Sequence, residues 1–535
     1  MIGMGATRYR KNHMLEIGDR NLSIHDVSAV ARGREIAHLH EDVAERVGAS
    51  QEVVRAWLAA DKPVYGVTRG LGNRASTVIP PGERAEFSKT ALRARAAGAG
   101  GYFDEETVRA ALFVRVATLA RGGVGVRLKL VESLLAMLNE GVVPVVPRVG
   151  SIGTSDLLLC ANLSLPVVGE GRAKWRGELL SGADAMAAAG IPTIELNEIE
   201  GLALCSSNAF SIGLAALALK DADYLLDLVE VTLAMTYEAF VGNPSPFDPR
   251  VAAAHPGAGQ EDAARRMRAL LKNSALNDPG VPRRVQDPIS MRSATHVQGA
   301  ARTAFDWARE AVETELNSAS SNPLVLARDH EVLSTGNFHS AALAIALDAF
   351  RLALTQVGTM SSERIARLMD SNLSGLPAML TRHGATSAGL GLLAMVARTL
   401  NREARHCSSP VTNDDVWPMN AEDQAPFTLL AARRTLEQLS WLRQIVACEL
   451  IAAAQALDVR PAARPAAAVG ALHAFVRRWV ATLDGDRSTT EDVERLSEAL
   501  WGDEARALVA EYVPCAALHR SRLDSSDVAD QPKAS

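Results

Sequence analysis

Aromatic side chains are scarce: Trp, Tyr and Phe together make up 4% of the 535 residues. Belts of aromatic residues at a membrane surface are therefore not expected. Cysteine is also sparse. The five (Cys160, Cys205, Cys407, Cys448 and Cys515) are odd in number and widely spaced, without a CxxC or Cys/His cluster. That pattern reads as reduced thiols of a cytoplasmic protein, not a disulfide framework or a zinc site. An excess of positive charge is lacking too. Lys plus Arg is 56 against 62 Asp plus Glu, a formal net charge of −6. A nucleic-acid binder needs a basic stripe to neutralise phosphates, so nucleic acid is not an expected partner. HExxH, GxSxG and Walker loops are missing, which leaves no motif for a metalloprotease, a serine hydrolase or a P-loop NTPase. His38 and His40 are two apart and do not share a helix face, so a metal site is not expected.

What is present is apolar and helical. Hydrophobic residues make up 48% of the chain and charged residues 22%, the profile of a globular protein with a large core. The charge-free run from Gly201 to Leu219 carries Ser206, Ser207, Asn208 and Ser211. These polar residues fit a buried core helix better than a membrane span. Apolar periodicity predicts helices over 107–120, opened by Asp104, Glu105 and Glu106, and over 126–138, ended near Gly141. It predicts further helices over 221–240, 341–369, 427–457 and 466–483. Helices this long and apolar need neighbours on several sides, so the expected fold is mainly α, a large helical bundle. Strands are expected only at 142–146 and 324–326. The N-terminus lacks the apolar core of a signal peptide. Residues 1–14 read as a disordered leader and 519–535 as a disordered polar tail.

Four Pro- and Gly-rich loops interrupt the helices, at 63–72, 144–153, 278–292 and 409–426. Loops on a rigid frame commonly carry function. Taken singly, their residues are ambiguous. Tyr65, in YGVTRGLG, reads as a packing anchor or as a base on a mobile loop. Arg292 reads as a structural ion pair or as a fork for a carboxylate. Glu422 and Asp423 form a solvated pair, or, if one is buried, a proton carrier. Asn317, Asn322, Asn337, Phe338 and His339 look first like turn and capping residues.

Together the loops resemble one family, the aromatic amino acid lyases and aminomutases, which act on histidine, phenylalanine and tyrosine. The resemblance runs from about Leu15 to about Leu508. YGVTRGLG resembles the family's YGVNTGFG, and VVPRVGSIGTSDL resembles VVPEKGSVGASGDL. EGLAL (200–204), VQDPISMR (285–292), NSASSNPL (317–324), GNFH (336–339) and NAED (420–423) follow in the family's order. The resemblance implies an ammonia-lyase-type bundle, with an irregular N-terminal region at 15–210 and the central and C-terminal bundle at 211–518. It also implies a homotetramer whose active sites borrow loops from three chains. By carry-over, Tyr65 is the base, Arg292 holds the substrate carboxylate, Glu422 lies near its amine, and Asn322 and Phe338 line the pocket. Arg95 stands where relatives place a residue against the substrate side chain. An Arg there suits an anionic or strongly hydrogen-bonding group, or else pairs with a neighbouring carboxylate.

The resemblance breaks at the family's electrophile, the methylidene-imidazolone (MIO) ring. In Ala-Ser-Gly the Gly nitrogen attacks the Ala carbonyl carbon and two waters leave. Here the chain reads Thr154-Ser155-Asp156. Either Asp156 replaces the Gly, or the Gly is deleted and Asp156 is the Asp of the following Asp-Leu. Both leave a side chain where the backbone must fold tightly on itself. Two further departures accompany it. The family's second active-site Tyr is Ile289, and the Asn that steadies the ring is Ser206, with Asn208 two positions on. The expectation is an enzyme that works on an amino-acid-like or other small carboxylate without the ring, by elimination, isomerisation or cyclisation: Tyr65 removes a proton activated by the carboxylate on Arg292, Glu422 or Asp156 supplies acid or base work, and Ser155 is counted with these catalytic residues. A ring-dependent ammonia-lyase or aminomutase, and a catalytically silent homologue, are the alternatives. No metal or external cofactor is expected.

Overall fold

The computed structural model describes residues 14–413, 423–460 and 464–513. The helices form largely where apolar periodicity places them. Glu105–Ala120 opens on Asp104, whose carboxylate accepts the Thr107 N–H at 2.8 Å. This satisfies one of the orphan donors of the first turn. Leu128–Glu140 closes on Gly141 at φ +73°, a left-handed cap that glycine takes without strain. Ala341–Met369 matches its expected bounds, and Thr428–Val459 differs from its own by one or two residues. The helix expected over 221–240 starts earlier, at Ala209, so residues 209–219 of the charge-free run belong to it, while its first residues lie in the Glu200–Cys205 helix and the turn that follows. The most apolar window within Glu200–Phe240 is wholly buried, and core burial accounts for its hydropathy. The helix expected to reach Leu483 ends at Trp479, where Val480 turns extended.

The chain divides into two compact units. The first comprises Met1–Lys220, Ala311–Asp348 and Pro410–Leu436, and the second Asp221–Glu310, Ala349–Ser409 and Glu437–Ser535. Short strands trim the first. Met14–Ile17 pairs in parallel with Ile36–Leu39, so Met14, assigned above to the leader, opens a strand. Ala99–Tyr102 pairs antiparallel with Pro147–Val149. Val143–Pro144, Arg172–Trp175 and Glu178–Ser181 make a three-stranded sheet, and Leu324–Leu326 forms a hairpin with Glu331–Leu333. In this unit the helices Arg84–Arg95, Leu157–Ser164 and Glu200–Cys205 pack against one another and carry the loops described below.

The second unit is a helical bundle with ion pairs inside it. Arg364 makes a two-pronged pair with Glu449, 2.6 and 2.8 Å, and Thr236 and Ser361 donate to the same carboxylate. Arg266 pairs with Glu230 at 2.6 Å. All four charged groups are buried, so each depends on its partner to offset the cost of leaving water.

Candidate active site

The first unit brings together the turn at 151–156, the turn at 206–208 and the segment 336–340. Ser155 lies at φ +69°, a left-handed conformation that costs a side-chain-bearing residue strain. Gly153 has φ +86°, and a Cβ there would meet the backbone nitrogens of Phe427 and Thr428 at 2.9 and 2.8 Å. The turn is therefore packed too closely for any other residue at 153. The Phe427 N–H donates to Ile152 O at 2.9 Å. Thr154 bridges His339 in antiparallel fashion. The Ser340 hydroxyl lies 3.3 Å from Gly153 O and 2.8 Å from Thr428 Oγ1.

Asp156 is fully buried. Its amide N–H donates to Ser207 O at 2.7 Å. Its carboxylate accepts the Ser151 hydroxyl at 2.6 Å, the Ser211 hydroxyl at 2.8 Å and the Ser211 N–H at 2.7 Å. The Phe210 N–H contributes as well. The carboxylate thus sits on the first turn of the Ala209–Phe240 helix, where orphan N–H groups favour negative charge. Burial pushes its pKa up, and these hydrogen bonds oppose that rise. The side chain faces the protein interior and ties the 151–156 turn to the start of that helix.

Asn208 is buried and donates to Phe338 O at 2.8 Å, while its own Oδ1 has no partner among the described residues. The Ser207 hydroxyl, beside it in the chain, is likewise buried without one. Ser206 ends the Glu200–Cys205 helix. Tyr65 is half-buried, and its phenolic oxygen accepts the Gly72 N–H at 2.9 Å. Between them, Gly66 has φ +71°, and a Cβ there would strike Leu202 at 2.4 Å. The Tyr65 loop is thereby seated on the EGLAL helix.

Arg95 is half-buried and donates to Ala91 O of its own helix at 3.0 Å. No carboxylate among the described residues forms an ion pair with it. Behind it, burial pushes the Cys205 thiol up to about 12, opposed by Arg95 and Arg115. Arg115 is itself fully buried and donates to Ala203 O, and burial lowers its pKa to about 10. Two cations therefore act on the Cys205 thiol. The Asn322 amide oxygen accepts the Thr335 N–H at 3.0 Å, so that side chain braces the segment that follows the hairpin.

Arg292 and Ile289 lie in the second unit, on the short Ile289–Arg292 helix. With its amide oriented so that the oxygen faces the donors, Gln286 accepts from the two terminal nitrogens of Arg292 at 2.5 and 2.9 Å. Ile289 is 63% exposed and Val285 97% exposed. Glu422 lies outside the described residues. Sequence reasoning did not single out Ser151, Ser211, Ser340, Thr428 or Gln286 as site residues. The polar interruptions of the 201–219 run were the available signal for Ser211.

The sequence profile described as "Aromatic amino acid lyase" matches residues 22–478. A histidine ammonia-lyase of Symbiobacterium thermophilum is 37% identical over 497 residues, covering 92% of this chain and 98% of that relative. Among solved structures, the ergothioneine-degrading ergothionase of Treponema denticola, in complex with desmethyl-ergothioneine sulfonic acid, superposes with a TM-score of 0.88. Its identity is 27%, and the match covers 93% of this chain and 100% of that one. The phenylalanine aminomutase of Pantoea agglomerans gives a TM-score of 0.87 at 28% identity, covering 92% and 100%. These relatives carry out different reactions on one fold.

Proposed function

The chain belongs to the aromatic amino acid lyase family, and from that membership we propose that it eliminates an already activated amine from a small carboxylate substrate without the MIO ring. One observation carries the reading. The Asp156 nitrogen, which would have to attack the Thr154 carbonyl carbon, has its N–H committed to Ser207 O, and the attached side chain is anchored by Ser151 and Ser211. Ring closure would have to break that anchorage, whereas a glycine carries none. Residues 154–156 therefore do not fit the prosthetic group.

Without an electrophile, the C–N bond must break unaided. A quaternary ammonium meets that requirement, because it departs with the C–N electron pair as a neutral tertiary amine. Tyr65 takes the β-proton, the electrons form the Cα–Cβ double bond, and an unsaturated carboxylate remains. Arg292 holds the carboxylate through its planar fork. Arg95 receives an anionic or hydrogen-bond-accepting group at the far end of the substrate. The likeness to an enzyme that degrades ergothioneine, a compound with a quaternary nitrogen, supports this substrate class. Assembly as a homotetramer completes the site, and the exposed Val285 and Ile289 support that part of the reading.

The 37% identity to a histidine ammonia-lyase favours a second reading, deamination through a ring made from Thr154, Ser155 and Asp156. Intact mass decides between them. The expected mass is that of the unmodified sequence. Loss of two waters within the peptide holding Thr154 to Asp156 overturns the first reading. For the reaction, trimethylammonium betaines of histidine and of aromatic amino acids are compared with the parent amino acids. Release of trimethylamine and growth of ultraviolet absorbance are expected for a betaine alone. Tyr65→Phe should lower that turnover by about 10²-fold or more. If Tyr65→Phe and Arg292→Ala both leave turnover unchanged, the assigned site is wrong.

A further inference from the structure

Gly470 occupies the fourth position of the Ala467–Trp479 helix. A glycine inside a helix costs about 0.5–1 kcal/mol relative to alanine. Its backbone is not in the left-handed region, and apart from its chain neighbours and the backbone of its own helix turn, no atom of the described residues lies within 4 Å of where a Cβ would stand. Neither backbone conformation nor close packing among those residues calls for glycine here.

Gly470 lines a cavity of about 450 Å³ within the second unit, a size that suits a small organic molecule. Leu457, Pro465 and Val469 supply apolar wall, while Asp458, His473 and Thr482 form a polar end. The polar end is organised around Asp458, near the C-terminus of the Thr428–Val459 helix, where the helix dipole disfavours negative charge. Its carboxylate is held by His473 Nε2 at 2.8 Å, Thr482 Oγ1 at 2.8 Å and Arg477 Nε at 2.7 Å. An ionised carboxylate only accepts, so in the neutral imidazole Nε2 carries the proton and Nδ1 becomes an acceptor. The carboxylate keeps one of its roughly four lone-pair directions unused by these partners. With the ring neutral, both groups offer acceptors to whatever enters.

We propose that this cavity is a binding site for a small, largely apolar molecule with a single hydrogen-bond-donating head of the phenol or alcohol class. The apolar body fills the space that Gly470 leaves open, and the head donates to His473 or Asp458. A carboxylate head meets acceptors and is refused. The site is lined by Leu457, Asp458, Pro465, Val469, Gly470, His473 and Thr482 and is independent of the reaction proposed above.

The test uses the full-length protein, with phenol as probe and benzoate as its anionic counterpart. Calorimetry and thermal shift should show saturable binding of phenol, with stabilisation that follows its concentration, and no saturable binding of benzoate. Gly470→Leu, a good helix former that fills the cavity, should retain the fold and weaken phenol binding by about tenfold or more. His473→Phe keeps the ring and removes the acceptor, and should weaken it as well. If Gly470→Leu does not fold, His473→Phe alone decides. Absence of saturable phenol binding, equal binding of benzoate, or phenol affinity unchanged in every folded variant would each overturn the proposal.

Discussion

Asp156 shows how one buried side chain can anchor a turn. Its carboxylate collects donors from Ser151, Phe210 and Ser211 and joins the 151–156 turn to a helix start. Asp156→Ala strands those donors, each worth about 1–3 kcal/mol when buried and unsatisfied. The expected outcome is a marked fall in thermal stability, read by calorimetry, with Asp156→Asn losing less because its amide oxygen still accepts. Equal stability of all three proteins would refute the anchoring role. Glu315 provides a pH-dependent case. Burial raises its pKa to about 7, against an unfolded value near 4.3. A carboxyl raised on folding is fully compatible with the native state below about pH 4.3. Its contribution is lost as pH climbs through 7, where the buried group must ionise. Glu315→Gln should therefore raise Tm at pH 8 and leave it unchanged near pH 4. A gain of the same size at both values would show that burial of charge is not the cause. At this scale the sequence made the anomaly at Asp156 legible, because a missing glycine is a matter of identity. The direction of its side chain was not legible, since the partners Ser207 and Ser211 lie about fifty residues away.

Among the elements, helices were legible and strands mostly were not. Glu105–Ala120 carries its start signal in Asp104, and Leu128–Glu140 its stop signal in Gly141. Asp104→Ala should cost about 1 kcal/mol, seen as a lower Tm, and Asp104→Ser should recover most of it. No recovery by Ser would mean that the side chain acts other than as a cap. Strands such as Arg172–Trp175 and Glu178–Ser181 span four residues each. Two alternations of polarity are too few to stand out from a loop. The end of the Ala467–Trp479 helix was also missed, because Ala481 and Leu483 continue the apolar pattern while the backbone turns extended at Val480.

For the molecule as a whole, each compact unit gathers segments that are far apart in the chain. Buried pairs such as Arg364 with Glu449 act within such a unit, across 85 positions. The Gly391–His406 helix leaves Leu392 66% and Met395 63% exposed on a single chain. Large apolar side chains grouped in this way mark a contact surface, which fits the proposed homotetramer. Analytical ultracentrifugation should find a tetramer for the unaltered protein, and Leu392→Glu with Met395→Glu should shift it to smaller species. A tetramer undisturbed by the pair would exclude this face from the assembly.

The helical class, the family and the departure from the family's ring-forming motif at Thr154-Ser155-Asp156 were all legible in the chain. Those features reside in periodicity and in motif order, both local properties of the chain. Tertiary packing was needed to see that the Asp156 carboxylate holds a turn to a helix, that Arg95 pairs with no carboxylate among the described residues, and that Gly470 opens on a cavity headed by Asp458 and His473. Each of these depends on which distant groups meet. Such meetings are set by packing the apolar faces of many helices at once, and no local pattern encodes them.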